Sequence, residues 1–285
     1  MTARNKVRKR NEFIFKLICR VVTLFAVSTL GVLFFHIFRE GIAWINWDFL
    51  THFPSRFPAK AGLKSALYGS VWILFLTAAI AVPLGVATAF YLEEYASKNK
   101  ITKWIQINIA NLAGMPSIVY GLLGLTVFVR FFNLDRSIWA GAMTLSLVIL
   151  PIIVIASQES IKAIPMSIRE GAYALGARKW QVVTMQLLPA ASPGIMTGVI
   201  LALSRAIGES APLIMIGALS FIAFVPEGPS DPFTVLPVQI FNWAGRPQAD
   251  FHGIAGAGII VLLGVLFGFN LLALFIRQKF QRYKL

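Results

Sequence analysis

The sequence has few charged residues and almost no cysteine. Asp, Glu, Lys and Arg make up 13% of the 285 residues, against about 25% in an ordinary soluble domain. Cys19 is the one cysteine, so an internal disulfide is excluded. The three histidines, His36, His52 and His252, are scattered and lack the spacing of metal ligands. With no nucleophile–base arrangement either, the sequence predicts no metal, no cofactor and no enzyme activity of its own.

Acidic residues are scarce as well, since 12 Asp and Glu stand against 26 Lys and Arg, a net charge of +14. Such a balance can indicate nucleic-acid binding. Because hydrophobic residues form 57% of the chain, we expect no nucleic acid but a membrane protein with basic residues on its cytoplasmic surface. The sequence also lacks any Gly-Lys pair and therefore any phosphate-binding loop of the G-x-x-x-x-G-K-[ST] type.

Apolar stretches long enough to span a bilayer, about 20 residues each, occur six times along the chain. They are 21–38, 66–92, 105–129, 137–158, 194–224 and 253–276. This pattern predicts an all-α membrane protein with six transmembrane helices. The first stretch follows basic residues, as in a signal peptide, but no small-residue cleavage site comes after it, which favours an uncleaved anchor.

Lys and Arg are concentrated in the two terminal segments and in the loops 93–104 and 159–193. By the positive-inside rule, we expect both termini and these loops in the cytoplasm. The predicted organisation is a basic cytoplasmic arm at 1–20 on the lipid surface, a first transmembrane helix at 21–38, an outer loop at 39–65, a five-helix core at 66–276 that includes the cytoplasmic loop 159–193, and a basic tail at 277–285. The aromatic outer loop fits an interfacial helix or a docking surface for an external partner.

Arg205 and Glu209 lie inside the apolar stretch 194–224. A charge at the centre of a transmembrane helix costs about 2.5–3.5 kcal/mol on insertion scales, so such residues usually face a bundle interior or an aqueous route. At a spacing of four they share nearly the same helical face. They indicate a pathway for a polar solute or, alternatively, an ion pair that ties two spans together.

Two apolar stretches carry helix-breaking residues. Pro116 follows Gly114 within the third stretch, and proline removes a helical hydrogen bond. Such a break lines a cavity or is a packing kink. At about 1.5 Å per residue, the fifth stretch is longer than the ~30 Å hydrocarbon core, and Gly208 and Pro212 predict a break or tilt beside the charged pair.

The loop 159–193 has the pattern of two amphipathic helices joined by a glycine turn. Gly176 is expected to end the first helix, and Pro189 to close the second. Apolar residues recur at helical spacing in both; they are Ile164, Ile168, Ala172 and Leu175 in the first, and Trp180, Val183 and Leu187 in the second. Such a pair fits a groove in another protein or lies on lipid.

The segment Glu170-Gly171-Ala172, with Gly176 and the distal Pro189, resembles the EAA loop of type I ABC importer permeases, although glycine replaces the family's central alanine. The longer runs REGAYALGARKWQVVTMQLLPAASPGIMTGVILALSRAIGESAPL and LPVQIFNWA are similar to permease subunits of phosphate importers of the PstA type. The similarity covers about residues 60–276. The related PstC type has a comparable Arg/Glu segment and is the alternative.

The resemblance implies the type I ABC importer permease fold in the bacterial inner membrane. It also implies three kinds of partner: a second permease of the PstC type, two copies of an ABC ATPase of the PstB type, and an external phosphate-binding protein of the PstS type. Four residues would form the coupling helix that contacts the ATPase; they are Glu170, Gly171, Ala172 and Gly176. Arg205 would escort the anion while Glu209 holds it in place. Another oxyanion, such as molybdate or sulfate, and a self-contained carrier in which Glu209 exchanges protons are the alternatives.

Overall fold

The computed structural model describes residues 3–97, 99–219 and 221–282, and this part of the chain is helical with no β-strand. In chain order the helices are α1 (Ala3–Gly41), α2 (Trp47–Thr51), α3 (Lys64–Phe90), α4 (Lys100–Ala113), α5 (Ser117–Gly124), α6 (Ile138–Lys162), α7 (Met166–Ala174), α8 (Lys179–Gln181), α9 (Leu188–Gly208), α10 (Ala211–Ile216), α11 (Leu236–Ala244) and α12 (Ala249–Arg282). Turns of π-helix continue α3 (Tyr91–Tyr95) and α5 (Leu125–Phe131) and join α8 to α9 (Val182–Leu187). The predicted all-helical class is confirmed.

Among the described residues, five helices are long and apolar enough to cross a membrane. They contain α1, α3, α6, α9 and α12. The helices α4 and α5 pass the same test only as a pair, and a bend of 104° separates them. Counting this pair as one span gives up to six, in the order that the apolar stretches predicted.

The central helix of the bundle is α6, with 67% of its apolar window buried. It packs between α3 and α9. The approach of α9 depends on small residues one turn apart, because a Cβ at Gly198 would lie 2.3 Å from the Cβ of Ala156, and one at Gly194 would lie 2.4 Å from Ser160 Oγ. Small residues at such positions let two helix backbones come close in a membrane.

The close α6–α9 contact predicts that Gly198→Leu lowers the yield of folded protein. Overpacking of a well-filled core costs about 1–3 kcal/mol, and the backbone-level contact with Ala156 leaves no room for a longer side chain. The matched control is Gly268→Leu on α12, where a Cβ would meet nothing within 4 Å. Monodisperse protein recovered in detergent measures the difference, and equal recovery of the two variants would contradict the packing described.

The helix α1 lies at the edge of the bundle, and none of its apolar window is buried. It packs on α12 where Gly41 meets Gly256, since a Cβ at Gly41 would lie 2.4 Å from the Gly256 carbonyl carbon. In the described residues, the helices α1 and α12 extend into the segments predicted as the basic arm (1–20) and the basic tail (277–285). Residues from 3 onward belong to α1, and α12 continues to Arg282.

The fifth span differs from the predicted 194–224 at both ends. A helical run extends from Lys179 to Gly208, so the prediction that Pro189 closes a separate helix is wrong. Pro189 lies in the first turn of α9, directly after a π-helical turn, where its missing N–H is tolerated. At the other end, Glu209 has an extended backbone and Gly217 a left-handed one, with φ 91°. Residues 163–178, between α6 and α8, are called the α7 loop below.

Candidate functional site

The Arg205–Glu209 pair lies at the end of α9 rather than in the middle of a span. Arg205 Nε donates to Glu209 Oε1 at 3.1 Å. Glu209 is the first residue after the helix, with ψ 122°, so its side chain turns back toward the last helical turn. The carboxylate-bearing side chain is 14% exposed and the arginine side chain 44% exposed. A mostly buried carboxylate therefore holds a half-exposed arginine side chain through its Nε.

A small apolar cleft adjoins the pair, and Glu209 is its one charged lining residue among the described residues. Its walls come mainly from α3, α9 and α10 and from the start of α11. They are apolar apart from Glu209 and Ser70; the other lining residues are Leu67, Val71, Ile73, Leu74, Leu145, Ala206, Ile207, Leu213, Val235, Leu236 and Val265. Ser70 Oγ accepts the Leu236 backbone N–H at 2.9 Å. The pair thus lies at the edge of a hydrophobic hollow.

The helices that follow the breaks in the third and fifth spans, α5 and α10, pack against each other. A Cβ at Gly121 in α5 would lie 2.7 Å from Pro212 Cα in α10. Across the bend between α4 and α5, Tyr120 Oη donates to the Leu112 carbonyl at 2.7 Å. The same carbonyl accepts the Met115 N–H at 3.1 Å, so a side chain of α5 and the backbone of the bend are both bonded to the end of α4. The bent third span and the end of the fifth are consequently one packed unit.

The residues predicted as hinges lie at these breaks. Pro116 immediately precedes α5, Gly208 ends α9, and Pro212 lies in the first turn of α10. A Cβ at Gly208 would meet nothing within 4 Å, so close packing does not explain this glycine. Whether the three positions bend during function stays a prediction.

The α7 loop reverses direction at Gly176, which has φ +83°. Within the loop, Pro165 immediately precedes the first turn of α7. After the helix, Gly176 N–H donates to the Tyr173 carbonyl at 2.9 Å and Ala177 N–H to the Ala172 carbonyl at 3.1 Å. These bonds and the left-handed glycine form a regular C-terminal cap. The predicted glycine turn is therefore present at Gly176.

The apolar face predicted for this loop is only partly correct. Ile164 is buried and Ala172 packs against the core, but Leu175 is 91% exposed. Leu175 follows the last residue of α7, and its backbone (φ −82°, ψ 5°) is no longer helical. The helical spacing therefore no longer aligns it with the other apolar residues. Glu170 and Gly171 are exposed too. Large apolar side chains therefore remain uncovered on this loop and the helix after it; they are Met166, Tyr173, Leu175, Trp180 and Met185.

Gly171, the departure from the family's Glu-Ala-Ala pattern, is expected to tolerate alanine. A Cβ there would meet nothing within 4 Å, and alanine is about 0.8–1.0 kcal/mol more favourable than glycine inside a helix. Gly171→Ala should leave transport unchanged and slightly raise thermal stability, measured on the assembled transporter. Gly194→Ala is the control for a filled position, because its Cβ would lie 2.4 Å from Ser160 Oγ. Loss of transport in Gly171→Ala would show that glycine itself is required.

Several polar contacts were not predicted from the sequence. Arg169 of α7 pairs with Glu94, at the end of α3, at 2.9 Å, and next to it Gln158 Nε2 donates to Glu93 Oε1 at 2.7 Å. The sequence did carry a signal for these contacts. Glu93 and Glu94 directly follow the charge-free stretch 66–92, at the start of a loop that was assigned to the basic, cytoplasmic side. Polar bonds also join α9 to α12; they are Ser204–Asn270 at 2.6 Å and Arg277–Thr197 at 2.8 Å.

Within residues 3–97, 99–219 and 221–282, no group of three or more His, Cys, Asp or Glu side chains could hold a metal ion. Arg205, Glu209 and Arg169 are instead arranged as ion pairs. A guanidinium with unbonded N–H groups can bind an anion, and an ion pair between two helices can join them.

The chain matches the model of the family "Binding-protein-dependent transport system inner membrane component" over residues 81–281. It is 34% identical over 253 residues to the "Probable ABC transporter permease protein YqgI" of Bacillus subtilis, covering 85% of this chain and 86% of that protein. It is 32% identical to the phosphate transport system permease protein PstA of Yersinia pestis, covering 95% and 92%. The PstA protein of Haemophilus influenzae is 35% identical, covering 88% and 86%. The resemblance to PstA-type permeases is thus confirmed.

Solved structures show the same fold at low sequence identity. A chain of a bacterial ABC transporter that imports the acidic polysaccharide alginate superposes with a TM-score of 0.67 at 18% identity, covering 96% of this chain and 98% of that one. A chain of the inward-facing MetNI methionine ABC transporter gives a TM-score of 0.60 at 19% identity, covering 76% and 95%. The predicted ABC importer permease fold is confirmed. The protein belongs to the inner-membrane components of binding-protein-dependent transport systems, as a permease subunit of an ABC importer.

Proposed function

We propose that the protein imports inorganic phosphate as one of two permease subunits, driven by a separate ATPase. The relatives that cover most of the chain include PstA proteins of phosphate transport systems. The partners are then a PstC-type permease, two copies of a PstB-type ATPase and a PstS-type external binding protein. The distribution of Lys and Arg supports a cytoplasmic position for both termini and the α7 loop.

Arg205 is the residue that meets the anion in this proposal. Its Nε is held by Glu209, and among the described residues Nη1 and Nη2 donate no further hydrogen bond. Guanidinium nitrogens in a planar fork match the oxygens of phosphate. The observation that carries the proposal is this half-exposed guanidinium at the broken end of a membrane span.

Glu209 has two roles beside Arg205. It fixes the arginine, since the carboxylate is mostly buried against the cleft while the guanidinium is not. Its negative charge also weakens the attraction between Arg205 and phosphate, because like charges repel the anion at short range. A site that bound phosphate tightly would retain it, and a pathway must release its cargo.

The α7 loop couples the permease to the ATPase. Glu170 and Gly171 are exposed on α7, and the large apolar side chains of Tyr173 and Leu175, on the same loop, are exposed as well. An amphipathic helix with an exposed apolar surface binds well in a groove of another protein. Gly176 sets the angle between α7 and the fifth span, which begins at Lys179. Closure of the ATPase pair would move α7 as a rigid body.

Reconstitution tests the function. Vesicles that hold the chain with its second permease and ATPase should accumulate labelled phosphate only with ATP and the external binding protein. Vesicles that hold the chain alone should show no uptake under an ion gradient. Gradient-driven uptake by the chain alone would support the secondary carrier instead. ATP-driven uptake of molybdate or sulfate, without uptake of phosphate, would show that the substrate is that oxyanion and not phosphate.

A further inference from the structure

Three consecutive residues at the end of α3 contact three different elements. Glu93 accepts a hydrogen bond from Gln158 of α6 at 2.7 Å. Glu94 pairs with Arg169 of α7 at 2.9 Å. The ring of Tyr95 lies 4.9 Å from Lys179 Nζ, at the start of the fifth span. We call Glu93, Glu94 and Tyr95 the α3 hub.

The backbone of the hub explains how neighbouring residues reach separate partners. The hub lies in the π-helical turn Tyr91–Tyr95, and such turns occur frequently at functional sites. Because a π-helix bonds residue i to residue i+5, its turn holds more than the 3.6 residues of an α-helix, and successive side chains still point in different directions around it. Three in a row therefore point to three sides, and α6, α7 and α8 lie on those sides.

Arg169 is the strongest connection of the hub. Its Nε and Nη2 donate to Glu94 Oε1 at 3.0 and 2.9 Å. The same guanidinium donates to the carbonyls of Ile164 at 2.9 Å and Ile161 at 3.1 Å. One side chain of α7 thereby binds the residues that follow α3, a carbonyl in the last turn of α6 and a carbonyl just after α6. Only a guanidinium has enough donors in a fixed plane for this arrangement.

Burial makes this connection rigid. The side chains of Arg169 and Glu94 are 12% and 10% exposed, and removing one partner of a buried ion pair leaves an uncompensated charge. Ile161 and Ile164 belong to a buried apolar cluster below the pair. By contrast Glu170, the next residue, is exposed. The helix α7 thus has an outer side for a partner and an inner side fixed to the spans.

We infer that the α3 hub is the joint that transmits movement of α7 to the second, fourth and fifth spans, with Arg169 and Glu94 as positioning residues. The inference rests on the coupling role proposed for the α7 loop. Without the joint, α7 keeps only the short connections at 163–165 and 175–178 and the apolar packing of Ala172, with no ion pair or hydrogen bond among the described residues from its side chains to α3. The ATPase could then move α7 without moving the spans.

The test measures phosphate imported per ATP hydrolysed by the reconstituted transporter. Arg169→Gln and Glu94→Gln should lower this ratio roughly tenfold, the effect of losing a charge-assisted hydrogen bond, while ATP hydrolysis continues. Arg169→Lys keeps the charge but loses the carbonyl bonds, and it should give an intermediate ratio. Glu12→Gln is the control, because Glu12 pairs with Lys16 at 2.6 Å on α1, away from the hub, and both side chains are more than half exposed. Its ratio should not change.

A covalent link distinguishes a joint from a merely structural pair. In a Cys19→Ser background, the double variant Glu94→Cys and Arg169→Cys should have a low ratio that a short bismaleimide cross-linker restores. A fall of transport and hydrolysis in equal proportion, or no recovery on cross-linking, would overturn the inference. If Gly176→Val uncouples the transporter but the Arg169 variants do not, the joint is wrong while the coupling loop stands. If neither uncouples it, the coupling role itself is wrong.

Discussion

Replacing Arg205 with glutamine is expected to reduce ATP-driven phosphate uptake about 100-fold or more, because two hydrogen bonds to a charged group are worth about 1.5–3 kcal/mol each. The guanidinium is half-exposed and its Nη atoms make no bond among the described residues. The glutamine amide can still donate to the mostly buried Glu209 carboxylate, so we expect the main loss in the bonds to the anion. Uptake of labelled phosphate into vesicles measures it. The amount of assembled transporter should stay close to that of the unchanged protein.

Lysine at the same position separates the two interpretations of the pair. Arg205→Lys keeps the positive charge near Glu209 but lacks the planar fork. If the pair only ties the break together, the lysine variant should transport normally. If Arg205 binds the anion, uptake should fall to an intermediate rate. Arg205→Gln protein that inserts, assembles and transports phosphate at the normal rate would exclude the pathway role.

Gly176→Val is expected to uncouple ATP hydrolysis from transport while insertion stays normal. Gly176 has φ +83° and open space around it. There is room for a valine side chain, but valine is strained in this left-handed backbone conformation. A left-handed conformation costs a residue with a Cβ about 1–2 kcal/mol, and β-branching makes it worse. We expect the orientation of α7 to change and phosphate import per ATP to fall roughly tenfold.

Asparagine is the control at this position, since it adopts the left-handed conformation more readily than other residues with a side chain. Gly176→Asn should retain most of the coupling. Equal loss in the asparagine and valine variants would show that the absence of a side chain, not the turn, matters at Gly176. Normal coupling in both would contradict the role of the turn.

The sequence predicted those parts of the structure that depend on local patterns. Long apolar runs identified the spans because each must exclude charge over the width of a bilayer. The break at Pro116 followed from the missing N–H of proline, and the turn at Gly176 from the freedom of glycine. The Arg205–Glu209 pair was visible because two charges interrupt an apolar run. The two residues pair at the predicted spacing of four, but Glu209 lies just after the end of α9 and not inside a continuous helix.

Other parts of the site depend on tertiary contacts. Arg169 and Glu94 are 75 residues apart, and no local pattern relates them. Pro189 does not end a helix because a π-helical turn precedes it, and sequence periodicity does not indicate that turn. Leu175 fits the apolar spacing of α7, yet the helix ends one residue earlier and leaves it 91% exposed. In each case the structure is decided by packing or by backbone geometry rather than by residue type.

The central claim is that the face of α9 carrying Arg205 lines an aqueous route for phosphate. Leu201 lies one turn earlier on that face and is 65% exposed. In a Cys19→Ser background, Leu201→Cys should react with a small water-soluble thiol reagent in the assembled transporter during ATP turnover. Phosphate delivered by the binding protein should slow the reaction, and Arg205→Gln should remove that protection. A cysteine at 201 that stays unreactive in every state, with or without ATP and phosphate, would contradict the account.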